Sequence, residues 1–412
     1  MKKSTFRKII SILAALALAL CMTAVAAAES VPGSDPYYSA DDLFTSRDLE
    51  QSADLSGAET LTVSDGNDLH ITKAGVYVLT GTASGATVYV EADSDDKVQL
   101  VLDGLNITNS DFPCIYVISA DKVFVTVAAD SSLSVTGSFR KDGNTKTDGV
   151  IFSKQDLVLN GTASLTVSST DNGIVCKDDL KITGGTWTVT ASSKAIEAND
   201  SIRIADGTFT LTAGTDAIHA ENDDDDSKGF VFIGGGTFTL KAGDDGIHAT
   251  SVIQIDGGTV DITAKEGLEA TVIQVNGGTV NITSTDDGIN AARKSNAYTP
   301  AAIFNGGEVN ITMSQGDTDG VDSNGNIYMN GGIVNVNGNS TFDYDGVAEY
   351  NGGTIYLNGQ ASSTIPNQFM GGGGWGNQGG WGQQGGWGQD DGWGPSGGSQ
   401  NASWGGGRGG RR

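Results

Sequence analysis

Sulfur crosslinking is almost out of reach for this chain. It has three cysteines in 412 residues, and only Cys114 and Cys176 lie beyond the first 28. That excludes the disulfide framework that staples small secreted domains. A single bridge stays chemically open in an oxidising compartment, but the repeat described below does not bring the two into phase, so two separate buried thiols are expected. Positive charge is the second shortage: 24 Lys+Arg stand against 50 Asp+Glu, for a net charge of −26. Such a chain is a poor partner for nucleic acid or anionic membranes and a natural host for cations. Proline is rare, at six, and helix formers are few, while glycine, threonine, aspartate and valine dominate. Length alone allows two domains, but this composition argues for one all-β unit.

Long hydrophobic runs are missing as well. The exception is Ile9 to Leu20, preceded by Lys2, Lys3, Arg7 and Lys8 and followed by Ala26-Ala27-Ala28. It is too short for a comfortable membrane span and reads as a secretory signal over residues 1–28, cleaved before Glu29. Cys21 faintly suggests lipid anchoring, but Leu20 is a poor residue before a lipidated cysteine, so plain secretion is expected. At the other end, residues 366–412 read as a flexible tail. Every tryptophan except Trp187 lies there, Trp375, Trp381, Trp387 and Trp393 recurring every six residues in Gly/Gln-rich text. A spacer is the simplest reading, with stacking of the indoles on sugars, or tethering through Arg408, Arg411 and Arg412, as alternatives.

What the chain does have is a repeat. Gly185, Gly207, Gly236, Gly258, Gly278, Gly307, Gly332 and Gly353 end Gly-Gly-like turns, at intervals of 22, 29, 22, 20, 29, 25 and 21 residues. Two residues after each glycine stand Trp187, Phe209, Phe238, Val260, Val280, Val309, Val334 and Ile355. Two further on come Val189, Leu211, Leu240, Ile262, Ile282, Ile311, Val336 and Leu357, with Thr188, Thr210, Thr239, Asp261, Asn281, Asn310, Asn335 and Tyr356 between the two sets. A third apolar column, three residues before the glycine, runs from Ile182 to Tyr350. Period-two alternation in register across repeats predicts strands stacked directly on one another, apolar side inward. About 21 residues leave no room for a crossover helix. The expected fold is all-β, a right-handed parallel β-helix of roughly ten to twelve coils over residues 61–365, after an N-terminal lead-in at 29–60. A propeller blade needs about twice this period.

Between strands the text reads as acidic turns. They are Lys194-Ala195-Ile196-Glu197, Asp216-Ala217-Ile218-His219, Asp245-Gly246-Ile247-His248, Glu266-Gly267-Leu268-Glu269, Asp287-Gly288-Ile289-Asn290, Asp319-Gly320-Val321-Asp322 and Asp345-Gly346-Val347-Ala348, with Asp148-Gly149-Val150 as an earlier member. Asp244, Asp286, Asp317 and Asp343 add charge upstream. Unit charges about 5 Å apart repel by roughly 1–3 kcal/mol at surface-like dielectrics. A hard divalent cation removes that cost, and calcium takes six to eight oxygens. The expected ligands are Glu197, Asp216, Asp244, Asp245, Glu266, Glu269, Asp286, Asp287, Asp319, Asp322 and Asp345. The alternative is plain Asp-Gly turn chemistry with solvated carboxylates. Zinc at His219 and His248 is disfavoured for want of nitrogen and sulfur ligands, and these histidines are expected to hydrogen-bond within the stack. Glu221 to Asp226 is either a further source of carboxylates or a solvated charge run.

The phrases TKAGVYVLTGT, DDKVQLVLDGLNITNSD, DDGIHA, IDGGTVDITA, EGLEA, DDGINAA and DGVDSNGNIYMNGG resemble a bacterial family of carbohydrate-binding domain-containing proteins, over roughly residues 40–358. The resemblance implies an extracellular, pectate-lyase-like right-handed β-helix with bound calcium. It also implies binding to cellulose-like and acidic polysaccharide without established catalysis. Lys194 departs from the acidic pattern. A lyase would need a basic residue beside the metal, with Lys177, Lys194, Lys265 and Arg293 as candidates, although each is more simply read as offsetting carboxylates. A hydrolase would need paired carboxylates, but Asp244-Asp245 and Asp286-Asp287 are sequence neighbours whose side chains are expected to diverge. The reading is therefore a secreted, monomeric, non-catalytic polysaccharide binder, with a lyase or a structural adhesin as the alternatives.

Overall fold

A computed structural model of the chain describes residues 31–222, 224–314 and 318–368. The signal segment at 1–28, Asp317 and nearly all of the Trp/Gly tail fall outside the described residues. The described chain is all-β apart from one short helix, Ala40–Leu43. None of its helices is long and apolar enough to cross a membrane.

Each repeat supplies three strands, and each strand pairs in parallel with its counterpart one repeat later. The strands Val252–Ile255, Val272–Val275 and Ala301–Phe304 belong to the first ladder. Thr259–Ala264, Thr279–Ser284 and Glu308–Met313 belong to the second. Asp245–Ala249, Glu266–Ala270 and Ile289–Ala291 belong to the third, which forms a separate sheet of 12 strands. The first two ladders join into one 24-stranded sheet because the long strand Lys97–Asn109 pairs with Lys122–Ala129 by its first half and with Ser131–Val135 by its second.

The sequence columns appear as residue-by-residue register. Trp187, Phe209, Phe238, Val260, Val280, Val309, Val334 and Ile355 are successive partners and are buried. Phe209 and Phe238 stack with centroids 4.5 Å apart. The column from Ile182 to Met329 is likewise buried, but its last member, Tyr350, is exposed where the ladder ends. One continuous apolar core runs from Val63 to Ile365. Cys114 and Cys176 are both buried and free.

Two kinds of glycine permit the stacking. At the Gly-Gly turns the second glycine is left-handed, as at Gly278 (φ 78°), where a Cβ would also stand 2.6 Å from the carbonyl oxygen of Gly258. The Asp-Gly glycines are different: Gly246 has no positive φ, but a Cβ there would meet Ile262 and lie 2.6 Å from the carbonyl oxygen of Gly267. It is kept small by close approach of the next strand, not by a sharp turn. This corrects the reading of these segments as turns, since Asp245–Ala249 and Glu266–Ala270 are themselves strands.

The lead-in is not a loose leader. Residues 31–51 lie across the outer face of the first ladder. Gln254 holds both backbone groups of Tyr38, accepting from its N–H at 2.8 Å and donating to its carbonyl at 2.9 Å. Tyr38 stacks on Phe230 at 4.0 Å. Asp48, almost fully buried, accepts from Lys181 at 2.8 Å and lies 3.8 Å from Lys122. The first ladder's outer face is thus covered by the chain itself, leaving the outer faces of the other two.

Candidate functional site

The outer face of the third ladder changes chemistry along its length. Consecutive registered partners are Tyr89, Tyr116, Phe152, Val175, Glu197, His219, His248, Glu269, Asn290, Asp322 and Asp343. The aromatic start is closed off. Tyr116 and Phe152 are fully buried, Tyr116 donates to Asp142 at 2.9 Å, and the Arg140 guanidinium lies over Phe112. From Glu197 onward the column is polar. Three residues before its members stand Lys194, Asp216, Asp245, Glu266, Asp287 and Asp319.

The first half of this polar column is ion-paired from within, although burial together with Glu269 and Asp216 still pushes Asp245 up to about 7 against the pull of His248. Glu197 accepts from Lys177 at 2.6 Å and from Asn172 at 2.9 Å, with Lys194 at 3.8 Å. Although burial disfavours its charge, those lysines hold its carboxyl below the usual range. The His219 and His248 rings stack at 4.6 Å. His219 Nδ1 lies 2.8 Å from Asp216, and Nε2 lies 3.1 Å from Glu221, whose carboxyl is drawn down to about 2 chiefly by that contact. His248 Nδ1 lies 2.8 Å from Asp245 and 2.9 Å from Glu269. Burial opposes the charge on His248, but these two carboxylates outweigh it and raise its pKa to about 9. The histidines therefore act as expected, as hydrogen-bonding members of the stack. Lys294 closes this half at 2.7 Å from Glu269.

In the second half the one lysine in an ion pair among the described residues sits at the edge. Lys265 serves the rim, 3.2 Å from Asp244, 3.8 Å from Asp286 and 3.9 Å from Glu266. Beyond it, burial together with Asp322, Asp286 and Glu266 pushes Asp287 up to about 7. Burial together with Asp319, Asp343 and Asp345 pushes Asp322 up to about 6. Asp287 accepts the backbone N–H of Asp319 at 2.9 Å, and Asp319 accepts from Ser340. Between these carboxylates sits Asn290. Its Nδ2 donates to Glu266 at 2.9 Å, but its buried Oδ1 has no donor among the described residues. An orphaned amide oxygen and carboxylates with raised pKa values are hard oxygen donors of the kind calcium takes. Groups with three ligand atoms within 4.8 Å of one another occur at Asp216, Asp244 and Asp245, and at Asp245, His248 and Glu269.

Two sequence assignments shift by register. Asp345 is not a member of the column: Asp319 pairs with Ser340, Val321 with Phe342 and Asp322 with Asp343. Phe342, almost fully buried, takes the interior place, whereas Val347 is 53% exposed. The inward apolar residue sets the phase, and the Asp-Gly pair at 345–346 falls beyond the strand. Similarly Gly149 pairs with Asn172, so Asp148 precedes the column by one residue and Asn172 is the true member. Asn172 and Lys294 were missed because a neutral amide and a lysine carry no acidic-turn signal, and Asn290, aligned in its turn, was not counted among the ligands for the same reason.

Comparison with known proteins now places the chain. Residues 65–320 match the family model of carbohydrate-binding domain-containing proteins, and the chain belongs to that family. A carbohydrate-binding domain-containing protein of Acetivibrio thermocellus is 36% identical over 133 residues, 31% of this chain and 46% of that protein, so the match spans about half of the relative's length. A solved structure, the polysaccharide lyase-like protein from C. thermocellum as a gadolinium derivative, aligns with a TM-score of 0.49 at 31% identity, covering 54% of this chain and 96% of that one.

Proposed function

We propose that this is a secreted, calcium-dependent polysaccharide-binding protein whose three ladders are the faces of a right-handed parallel β-helix of ten to twelve coils. The observation that carries the calcium reading is the run of Glu266, Asp287, Asp319 and Asp322 along the third ladder beside Asn290, whose buried amide oxygen has no donor among the described residues. These hard oxygens fit calcium and not zinc. Bound there, calcium would supply positive charge to which a uronate carboxylate can attach. The protein's own residues do the rest: Asn290 and the aspartates hold the ion, and the ladder spaces them. Family membership supports the polysaccharide.

Binding is favoured over lyase chemistry by the state of the lysines. Lys177, Lys194, Lys265 and Lys294 each face a carboxylate within 3.9 Å. Lys265 has its pKa raised, chiefly by Asp244, and a base that must shed its proton is poorly served there. The test is a pull-down on insoluble cellulose and on covalently crosslinked pectate, with and without EGTA, while absorbance near 235 nm reports unsaturated uronate. Retention with a flat absorbance is expected, the pectate fraction being lost in EGTA. A rising absorbance would make the protein a lyase, and retention by neither polymer would remove the glycan reading.

A further inference from the structure

Two amide ladders run along this molecule, and they differ in one respect. At the Gly-Gly turns, Asn276 donates to Asp256 at 2.7 Å, Asn305 to Asn276 at 2.8 Å, Asn330 to Asn305 at 2.8 Å and Asn351 to Asn330 at 3.0 Å. On the outer face of the second ladder, Asn281 donates to Asp261 at 2.7 Å, Asn310 to Asn281 at 2.9 Å and Asn335 to Asn310 at 2.5 Å. In both, each carboxamide points one N–H down a chain that ends on an aspartate, and such aligned bonds polarise one another. Each carboxamide also has a second N–H.

At the turns, that second N–H is used where the chain lies over it. Asn305 donates to the carbonyl of Gly33 at 2.9 Å and Asn330 to that of Pro32 at 3.0 Å, so part of the ladder binds an extended strand of polymer through its acceptor oxygens. On the second ladder, the remaining N–H groups of Asn281, Asn310 and Asn335 have no acceptor among the described residues, and Asn335 Oδ1 has no donor. This ladder ends against Tyr356, the registered partner of Asn335 and itself 37% exposed. A cavity of about 370 Å³ opens there, lined by Asn310, Asn335, Asn337, Tyr356 and Gly359. Its rim is fixed by the antiparallel hairpin of Thr354–Leu357 and Gln360–Ser362, where Asn358 clasps the backbone of Gly338 with two bonds of 3.0 Å.

We propose that this cavity is a subsite for an uncharged, extended glycan, with one sugar ring stacked on Tyr356 and hydroxyl or ring oxygens of its neighbours accepting from Asn335, Asn310 and Asn281. The inference rests on the reading of the chain as a polysaccharide binder and locates a second, cation-independent face for it. The ligand is neutral for a physical reason: no lysine or arginine lines the cavity, and Asp261 anchors the amide ladder with negative charge, so a uronate chain would be repelled. An aromatic face with convergent amide donors suits a sugar, whose C–H face is apolar and whose edge is polar.

The test is affinity electrophoresis of the full chain through gels of hydroxyethylcellulose, arabinoxylan, galactomannan and polygalacturonate, each with EDTA or with calcium. Retardation by at least one neutral polymer is expected, unchanged by EDTA. Tyr356→Ala should weaken it about tenfold or more, while Tyr356→Phe keeps it. The double change Asn310→Ala with Asn335→Ala should weaken it too, and Thr188→Ala, far along the same face, should not. Melting curves identify any variant that fails to fold, in which case the Tyr356 pair decides. Neutral binding that is untouched by Tyr356→Ala overturns this subsite. So does retardation by polygalacturonate alone, which leaves the broader function standing. Retardation by none of the four removes both.

Discussion

Freed of calcium, the protein is expected to melt about 5–10 °C higher at pH 5 than at pH 8. The sign follows from the groups that move. Asp245 and Asp287 rise to about 7, Asp322 to about 6 and His248 to about 9. A raised folded pKa contributes stability that is present at low pH and lost as pH climbs from the unfolded value through the folded one. For the three aspartates that window is roughly pH 4 to 7, and for His248 roughly 6.5 to 9. The opposite class is Glu221 and Glu269, both depressed to about 2, with His248 and Lys294 outweighing burial at Glu269. Their contribution disappears only as pH falls below about 4. Scanning calorimetry of the chelated protein should therefore show a maximum near pH 5. Calcium should flatten the decline toward pH 8, because it binds the deprotonated carboxylates whose repulsion causes the loss. A chelated protein equally stable at both pH values would contradict this charge assignment.

Asp48→Ala is expected to cost about 3–5 kcal/mol. It leaves the ammonium of Lys181, itself buried, without its 2.8 Å partner, and it removes the carboxylate that draws Lys122 inward. Asp48 stays ionised despite burial because Lys181 and the backbone N–H of Thr45 pull its pKa down. The same residue pins the segment 31–51, since its carbonyl accepts from Thr183 at 2.6 Å. Hydrogen exchange should show lost protection at Phe232 and Ile303, whose outer faces the segment covers. Replacing the pair together, Asp48→Leu with Lys181→Met, should recover most of the loss, because a matched apolar pair leaves no buried charge. A single mutant that melts like the parent would show that the segment is not anchored there.

Much of the fold was legible because stacked strands turn packing into sequence columns. The alternation after each Gly-Gly turn maps onto the register without slippage from Trp187 to Ile355. The third ladder was harder. Its strands are only three to five residues long, and their Asp-Gly dipeptides imitate turns. The error at Asp345 has the same source: a familiar dipeptide competed with the burial of Phe342, and burial won. The covering segment could not be read at all, since contacts such as Tyr38 with Gln254 and Asp48 with Lys181 join residues 216 and 133 positions apart with no periodic signal. In the site, acidic residues were visible as types, but their division was not. Whether a carboxylate meets His248 and Lys294 or the bare oxygen of Asn290 depends on which repeats become neighbours.

The most direct measurement is a calorimetric titration of calcium into the chelated protein at pH 7.5, alongside a variant carrying Asp287→Asn and Asp322→Asn. Saturable uptake of at least one ion by the parent, abolished or greatly weakened in the variant, is the predicted result. No heat of binding in the parent, or equal uptake by both proteins, would contradict the claim that this run of carboxylates is gathered around a shared cation.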